Sequence, residues 1–211
     1  MKIINASFEI LQFPEKPLEA IEQAARTCYK SEDKIEPGSA ERLVRYLLER
    51  GHEAMIELGG MAVVKFIVDR GVTHELVRHR LCSFAQESTR YCNYSKGKFG
   101  EEITVINPRF GEARRGHARV SDLWIRAMHD AEAKYLQLVR RGVPAEIARG
   151  VLPQSLKAEI VVGANLREWR HIFKLRTSGR AHPQMREVMV PLLAEFKQRV
   201  PVVFDDIEVS L

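Results

Sequence analysis

The apolar positions of this chain recur mostly at helical spacing. Leu18, Ile21, Ala24, Ala25 and Cys28 predict a helix over 17–29. Over 39–50, Ala40, Leu43, Val44, Leu47 and Leu48 form one stripe, with Ser39 placed to cap it and Gly51 to follow its end. A long amphipathic helix is expected over 121–141, burying Leu123, Trp124, Ala127, Met128, Ala131, Tyr135, Leu138 and Val139. Gly142 ends it, and Pro144 can open the next helix at its first turn. Asn165 can cap a helix to about Leu175, and a last helix follows Pro183, bent or broken at Pro191. Strand patterns are fewer: 61–68, followed by a turn at Asp69-Arg70-Gly71; 103–106, stopped by Asn107-Pro108; and 157–163. Thr73 can cap a short helix through Arg80, and 81–100 reads as a polar, partly irregular loop. With no βαβ rhythm, the expected fold class is α+β. It is a single domain over residues 1–211, with long helices packed on a small mixed or antiparallel sheet.

Composition changes this picture little. Hydrophobic residues make up 45% and charged residues 29% of 211 positions, as in a globular protein able to bury a core. No apolar run approaches the roughly 20 residues of a spanning helix, and the first residues carry no signal-peptide core. A cytoplasmic protein with no membrane partner is the expectation. Cys28, Cys82 and Cys92 cannot all pair and fit no zinc spacing, which suits a reducing compartment and thiols acting as small apolar residues.

The net charge of +5 has two readings, plain solubility or an anionic ligand. Its distribution favours the second, because arginines crowd into 78–90 and 167–186. A nucleic-acid partner is read more easily from a lysine-rich tail, which the chain lacks. The runner-up class is a basic nucleotide- or nucleic-acid-binding module without turnover. Neither a Rossmann glycine turn nor a P-loop occurs, so any dinucleotide is held another way.

The densest chemistry lies in Arg78-His79-Arg80-Leu81-Cys82-Ser83-Phe84-Ala85-Gln86-Glu87-Ser88-Thr89-Arg90-Tyr91. Arginine offers a planar fork of donors that binds phosphate and stacks on rings, each contact worth roughly 1.5–3 kcal/mol. Ser88 and Thr89 can add hydroxyls around the same anion, and Glu87 reads as an internal counter-ion. His74-Glu75-Leu76-Val77-Arg78-His79 nearly matches a zinc-protease motif, but its histidines are five apart. On one helix that turns them about 140° from each other, so no metal is expected. Cys82 and Ser88 lack an adjacent base at sequence level, which argues against either as a nucleophile.

Arg78-His79-Arg80, seven residues, then Ser88 followed by Arg90-Tyr91, resembles the signature of the flavin-dependent thymidylate synthases. The likeness extends through Arg26, Gly51-His52-Glu53 with Glu57, and Gly142-Val143-Pro144 to Pro153. It continues through Asn165-Leu166-Arg167, Leu175-Arg176 and Ala181-His182-Pro183-Gln184. The resemblance implies FAD as cofactor, held by Arg78, His79, Arg80, Gln86, Asn165, Leu166, Arg167 and His171. It implies dUMP bound at Glu75, Arg78, Gln86, Glu87, Ser88, Thr89, Arg90, Arg149 and Arg176. Arg176 would be catalytic, easing negative charge on the pyrimidine, with His52 near the folate. The implied reaction is reductive methylation of dUMP to dTMP, with 5,10-methylenetetrahydrofolate as carbon donor and NADPH or NADH as reductant. A homotetramer with active sites shared between subunits is also implied. The chain departs from the family pattern at Ala54, Leu58 and Gln86, which weakens the assignments at 52–58 and 86. His182 could face the site or be structural, and Tyr91 could stack on a ring or pack the loop.

Overall fold

The computed structural model describes residues 1–109 and 117–210. The elements in chain order are β1 Lys2–Ile4, β2 Ser7–Gln12, α1 Pro17–Thr27, α2 Ser39–Glu49, β3 Met61–Asp69, α3 Arg70–Leu76, β4 Ser83–Gln86, β5 Thr104–Ile106, α4 His117–Arg140, α5 Ala145–Ala148, β6 Lys157–Asn165, α6 Leu166–Arg176, α7 Pro183–Arg199 and α8 Pro201–Phe204. The class is α+β, as the periodicity predicts. β1 and β5 form a parallel pair, with Ile3 opposite Val105, and Val105 makes an antiparallel bridge to Leu156. The other strands form one sheet in the order β2-β3-β6-β4. Period-two alternation buries Ala62, Val64, Phe66 and Val68 of β3, and Ala158, Ile160, Val162 and Ala164 of β6.

The chain divides into two compact units: residues 1–7, 67–76 and 85–160, and residues 8–66, 77–84 and 161–211. The core of the first gathers Tyr94, Ile103, Val105, Met128, Tyr135, Leu136, Ala148 and Leu156. The second is built on an aromatic cluster. Phe196 meets Phe13, Trp169, Phe173 and Phe204 at ring-centroid distances of 5.0–5.3 Å, mostly edge to face. Trp169 completes its burial by donating its Nε1–H to the Ala62 carbonyl at 3.1 Å.

Several local expectations change. Ser39 is the first residue of α2 rather than its cap: Gly38 stands there at φ 78°, and the buried Ser39 hydroxyl donates to Glu22 at 2.8 Å. Gly51 does follow α2, at φ 70°. The expected turn after β3 is already α3, because Asp69 Oδ1 accepts from the Val72 amide at 2.7 Å and caps it. Thr73 is therefore inside that helix, bonded to the Arg70 carbonyl, and the helix stops at Leu76, short of Arg80. The expected loop contains β4, and two N-terminal strands join the sheets. Leu123 is 70% exposed, so the buried face of α4 is narrower than its apolar stripe. α7 runs unbroken through Pro191, where burial of Met185, Val188, Met189, Leu192, Leu193 and Phe196 outweighs the roughly 3 kcal/mol an internal proline costs. Among the described residues no helix is long and apolar enough to cross a membrane.

Candidate functional site

In the second unit, β6 runs straight into α6 and Asn165 makes the corner. Its side chain accepts from the Glu168 amide at 2.8 Å, the cap the sequence predicts. α6 then buries Leu166, Trp169, Ile172 and Phe173 and leaves Arg167, His171 and Lys174 on its open side. That side lines a cavity of about 330 Å³ with Glu53, Glu57, Leu81, Asn165 and Glu168. Glu53 accepts from Arg170 at 3.3 Å and Lys174 at 3.5 Å, while Arg167 pairs with Glu57. Arg170, almost fully buried, is also clamped by Asp206 at 2.6 and 2.7 Å. His52 begins the 3-10 segment Glu53–Gly59 and is exposed.

Of the three residues in the Arg-His-Arg motif, only His79 is buried, at 5% exposure. Its Nε2 accepts from Arg176 Nε at 3.0 Å, and its Nδ1 faces Glu168 Oε1 at 3.6 Å. The His171 ring stands edge-on, 5.7 Å away. Burial, then the Arg176 and His171 charges, pull the imidazole down to about 4, so it is neutral near pH 7. Burial likewise raises the Glu168 carboxyl above its ordinary value. Arg78 and Arg80 are exposed and make no ion pair among the described residues.

His79 lies past the end of α3, so His74 and His79 do not share one helix and the expected angle of about 140° between them is not realised. His79 instead joins Glu168 and His171, whose ligand atoms lie within 4.8 Å of one another. That set could hold a metal, but the Arg176 guanidinium on His79 makes it electrostatically poor for a cation. Leu166 is fully buried, backbone included, so neither its side chain nor its amide is open to a ligand in this chain. Burial, then Glu168, pushes the Cys82 thiol up to about 12, far from a thiolate nucleophile. All three thiols are free, and Cys28 is exposed, contrary to the expectation of apolar packing.

The first unit holds most residues expected at the nucleotide. Arg149 donates to Thr89 Oγ1 at 3.1 Å, and Ser88 Oγ accepts the Arg90 amide at 3.3 Å. The Arg90 side chain is exposed, paired with Glu146 at 3.5 Å and stacked on Tyr91. Tyr91 is 80% exposed and does not pack the loop. Gln86 donates to Thr73 Oγ1 at 3.0 Å. Glu87 is a counter-ion, as expected, but its partner is Lys157, which lies outside every motif. Lys157 donates to it at 2.8 Å, Tyr94 Oη at 3.2 Å and the Glu159 amide at 3.3 Å. Lys157 lies 70 positions away and no local signal pointed to it. Glu75 is half-buried in α3. His182, exposed, caps α7 by accepting the Gln184 amide at Nδ1, a structural task.

Residues 9–202 match the family model described as thymidylate synthase complementing protein. The flavin-dependent thymidylate synthase of Corynebacterium efficiens is 33% identical over 207 residues, covering 90% of this chain and 79% of that one. That of Pyrococcus furiosus is 33% identical over 199 residues, covering 90% and 78%. Among solved structures, the UMP/dUMP methylase PolB from Streptomyces cacaoi, bound with 5-Br dUMP, superposes with a TM-score of 0.80 at 25% identity, covering 97% of this chain and 96% of that one. With an Arg-His-Arg motif, a capped helix presenting Asn165 and Arg167, and relatives alike along nearly the whole chain, the protein belongs to the flavin-dependent thymidylate synthase family and is a methyltransferase.

Proposed function

We propose that the chain converts dUMP to dTMP by reductive methylation, with 5,10-methylenetetrahydrofolate giving the carbon and FAD, re-reduced by NADPH or NADH, giving the hydride. The observation that carries this reading is the set of unneutralised cations at the start of the motif. Arg78 and Arg80 have no acidic partner among the described residues, and Arg167 opens onto a cavity with polar walls. Such groups fit an anionic dinucleotide, and the exposed Arg167 stands in the first turn of α6, where the helix N-terminus favours an anion. A cavity of about 330 Å³ has room for a ring system, and the proposed homotetramer would supply the rest of a dinucleotide site from other subunits.

The chain's own residues bind and polarise. Arg90, Ser88, Thr89 and Arg149 suit a nucleotide monophosphate, as two cations and two hydroxyls with their local bonds already made. Arg176 sets a fixed positive charge for the pyrimidine, lowering the cost of charge at N3 and of a nucleophilic C5. Glu87 acts through Lys157 and Tyr94 rather than by touching substrate. His52 and His171 remain for the folate and the flavin. The three free thiols suit the cytoplasm.

The test is release of tritium from dUMP labelled at C5. Purified, yellow protein should release it only with the folate and a nicotinamide reductant present, and Arg176→Ala should lower the rate by about a hundredfold or more. Flavin oxidation without tritium release would rule the reading out.

A further inference from the structure

Whatever Arg176 does to a pyrimidine depends on where its guanidinium is held, and one group that holds it, at Nε, is an imidazole. Arg176 Nε is a donor that never loses its proton, so His79 Nε2, at 3.0 Å, must offer a lone pair. A neutral imidazole carries one proton, which then belongs on Nδ1. Nδ1 faces Glu168 Oε1 at 3.6 Å, with His79 5% and Glu168 6% exposed. The Nε2–H tautomer, ordinarily the commoner in water, would set donor against donor and turn Arg176 away.

The carboxylate is itself well placed to choose. Glu168 lies in the first turn of α6, its backbone amide pinned by Asn165, and Arg176 is the last residue of the same helix. His79 comes from the segment after α3 and closes the triad from outside that helix. Among the described residues no hydrogen bond to the Glu168 carboxylate is made; its charged neighbours are His171, Arg167 and His79, and of these His79 is the buried one that touches Arg176.

We propose that Glu168 is a positioning residue for Arg176, acting through His79: the buried carboxylate selects the Nδ1–H tautomer, and the exposed Nε2 lone pair then holds the guanidinium edge. His79 thus has a task besides any contact with flavin. The inference rests on the role assigned to Arg176 in the proposed reaction.

Two measurements on the full chain test it. Nitrogen-15 NMR of histidine-labelled protein near neutral pH reads the tautomer without turnover. The expected result is a protonated Nδ1 and a bare Nε2 at His79, reverting to Nε2–H in Glu168→Met. A double-mutant cycle on tritium release reads the coupling. Glu168→Met should lower kcat about tenfold with Arg176 present and less than about twofold once Arg176 is Lys, and Glu168→Gln, which keeps an acceptor oxygen, should recover most of the loss. An Nε2–H tautomer in the unsubstituted protein, or equal losses in both backgrounds, overturns the proposal. The tautomer reading still decides if Glu168→Met does not fold. Protein with the Nδ1–H tautomer that releases no tritium would count against the proposed reaction and for the triad.

Discussion

Glu87 and Glu168 are both carboxylates drawn largely out of water, one in each compact unit, and they are treated differently. Glu87 takes three donors, from Lys157, Tyr94 and the Glu159 amide. Its burial is compensated, and the network ties β6 to the segment after β4. Glu168 accepts no side-chain hydrogen bond among the described residues; His79 lies 3.6 Å away, and His171 and Arg167 act on it only through their charge. A saturated carboxylate contributes to the fold and has nothing left to offer. An undersaturated one costs stability and keeps its field for a neighbour, here the imidazole that holds Arg176.

The largest test of this contrast is to remove one partner on each side. Lys157→Met leaves Glu87 buried without its cation and should cost about 3–5 kcal/mol, whereas Glu168→Met should cost less than about 1 kcal/mol, both read from urea unfolding at pH 7. Equal losses would erase the distinction. The next test is acid. The His79 imidazole titrates near 4 when folded against about 6.5 when unfolded, so the unfolded chain binds the extra proton between those values. Its contribution is complete above pH 6.5 and is lost as pH falls toward 4, by roughly 3 kcal/mol in all. Unfolding curves at pH 7 and pH 4 should therefore converge for the parent protein and His79→Gln at the lower pH. The smallest effect is at the corner that feeds the triad: Asn165→Ala removes the α6 cap and should cost about 1 kcal/mol, while Asn165→Asp should cost only a few tenths.

The elements that could be read from sequence are those whose signals are local. Asn165, Gly51 and Gly142 mark helix ends through bonds and dihedrals within a few residues. The strands β3 and β6 alternate buried and open positions strongly enough to be seen. β4 escaped because Ser83–Gln86 is half-covered at most, at the end of the strand order, where no apolar run is needed. Thr73 lost the cap to Asp69 because both stand near the helix start and only the backbone path distinguishes them. Pro191 was overridden by the packing of its own helix.

The chemistry divides along the same line. The chain's periodicity and its Arg-His-Arg motif, read with the family likeness, already indicated a mixed helical fold and pointed to arginines as candidates for an anionic ligand. Which distant groups meet, and which charges are paired, came only with the tertiary structure. Arg176 reaches His79 across 97 positions and Lys157 reaches Glu87 across 70. Hydrogen-bond periodicity acts over one turn or one strand pair, so it carries no information about such encounters. Burial supplies it, by bringing distant groups out of water and leaving each only the partners that folding has placed beside it.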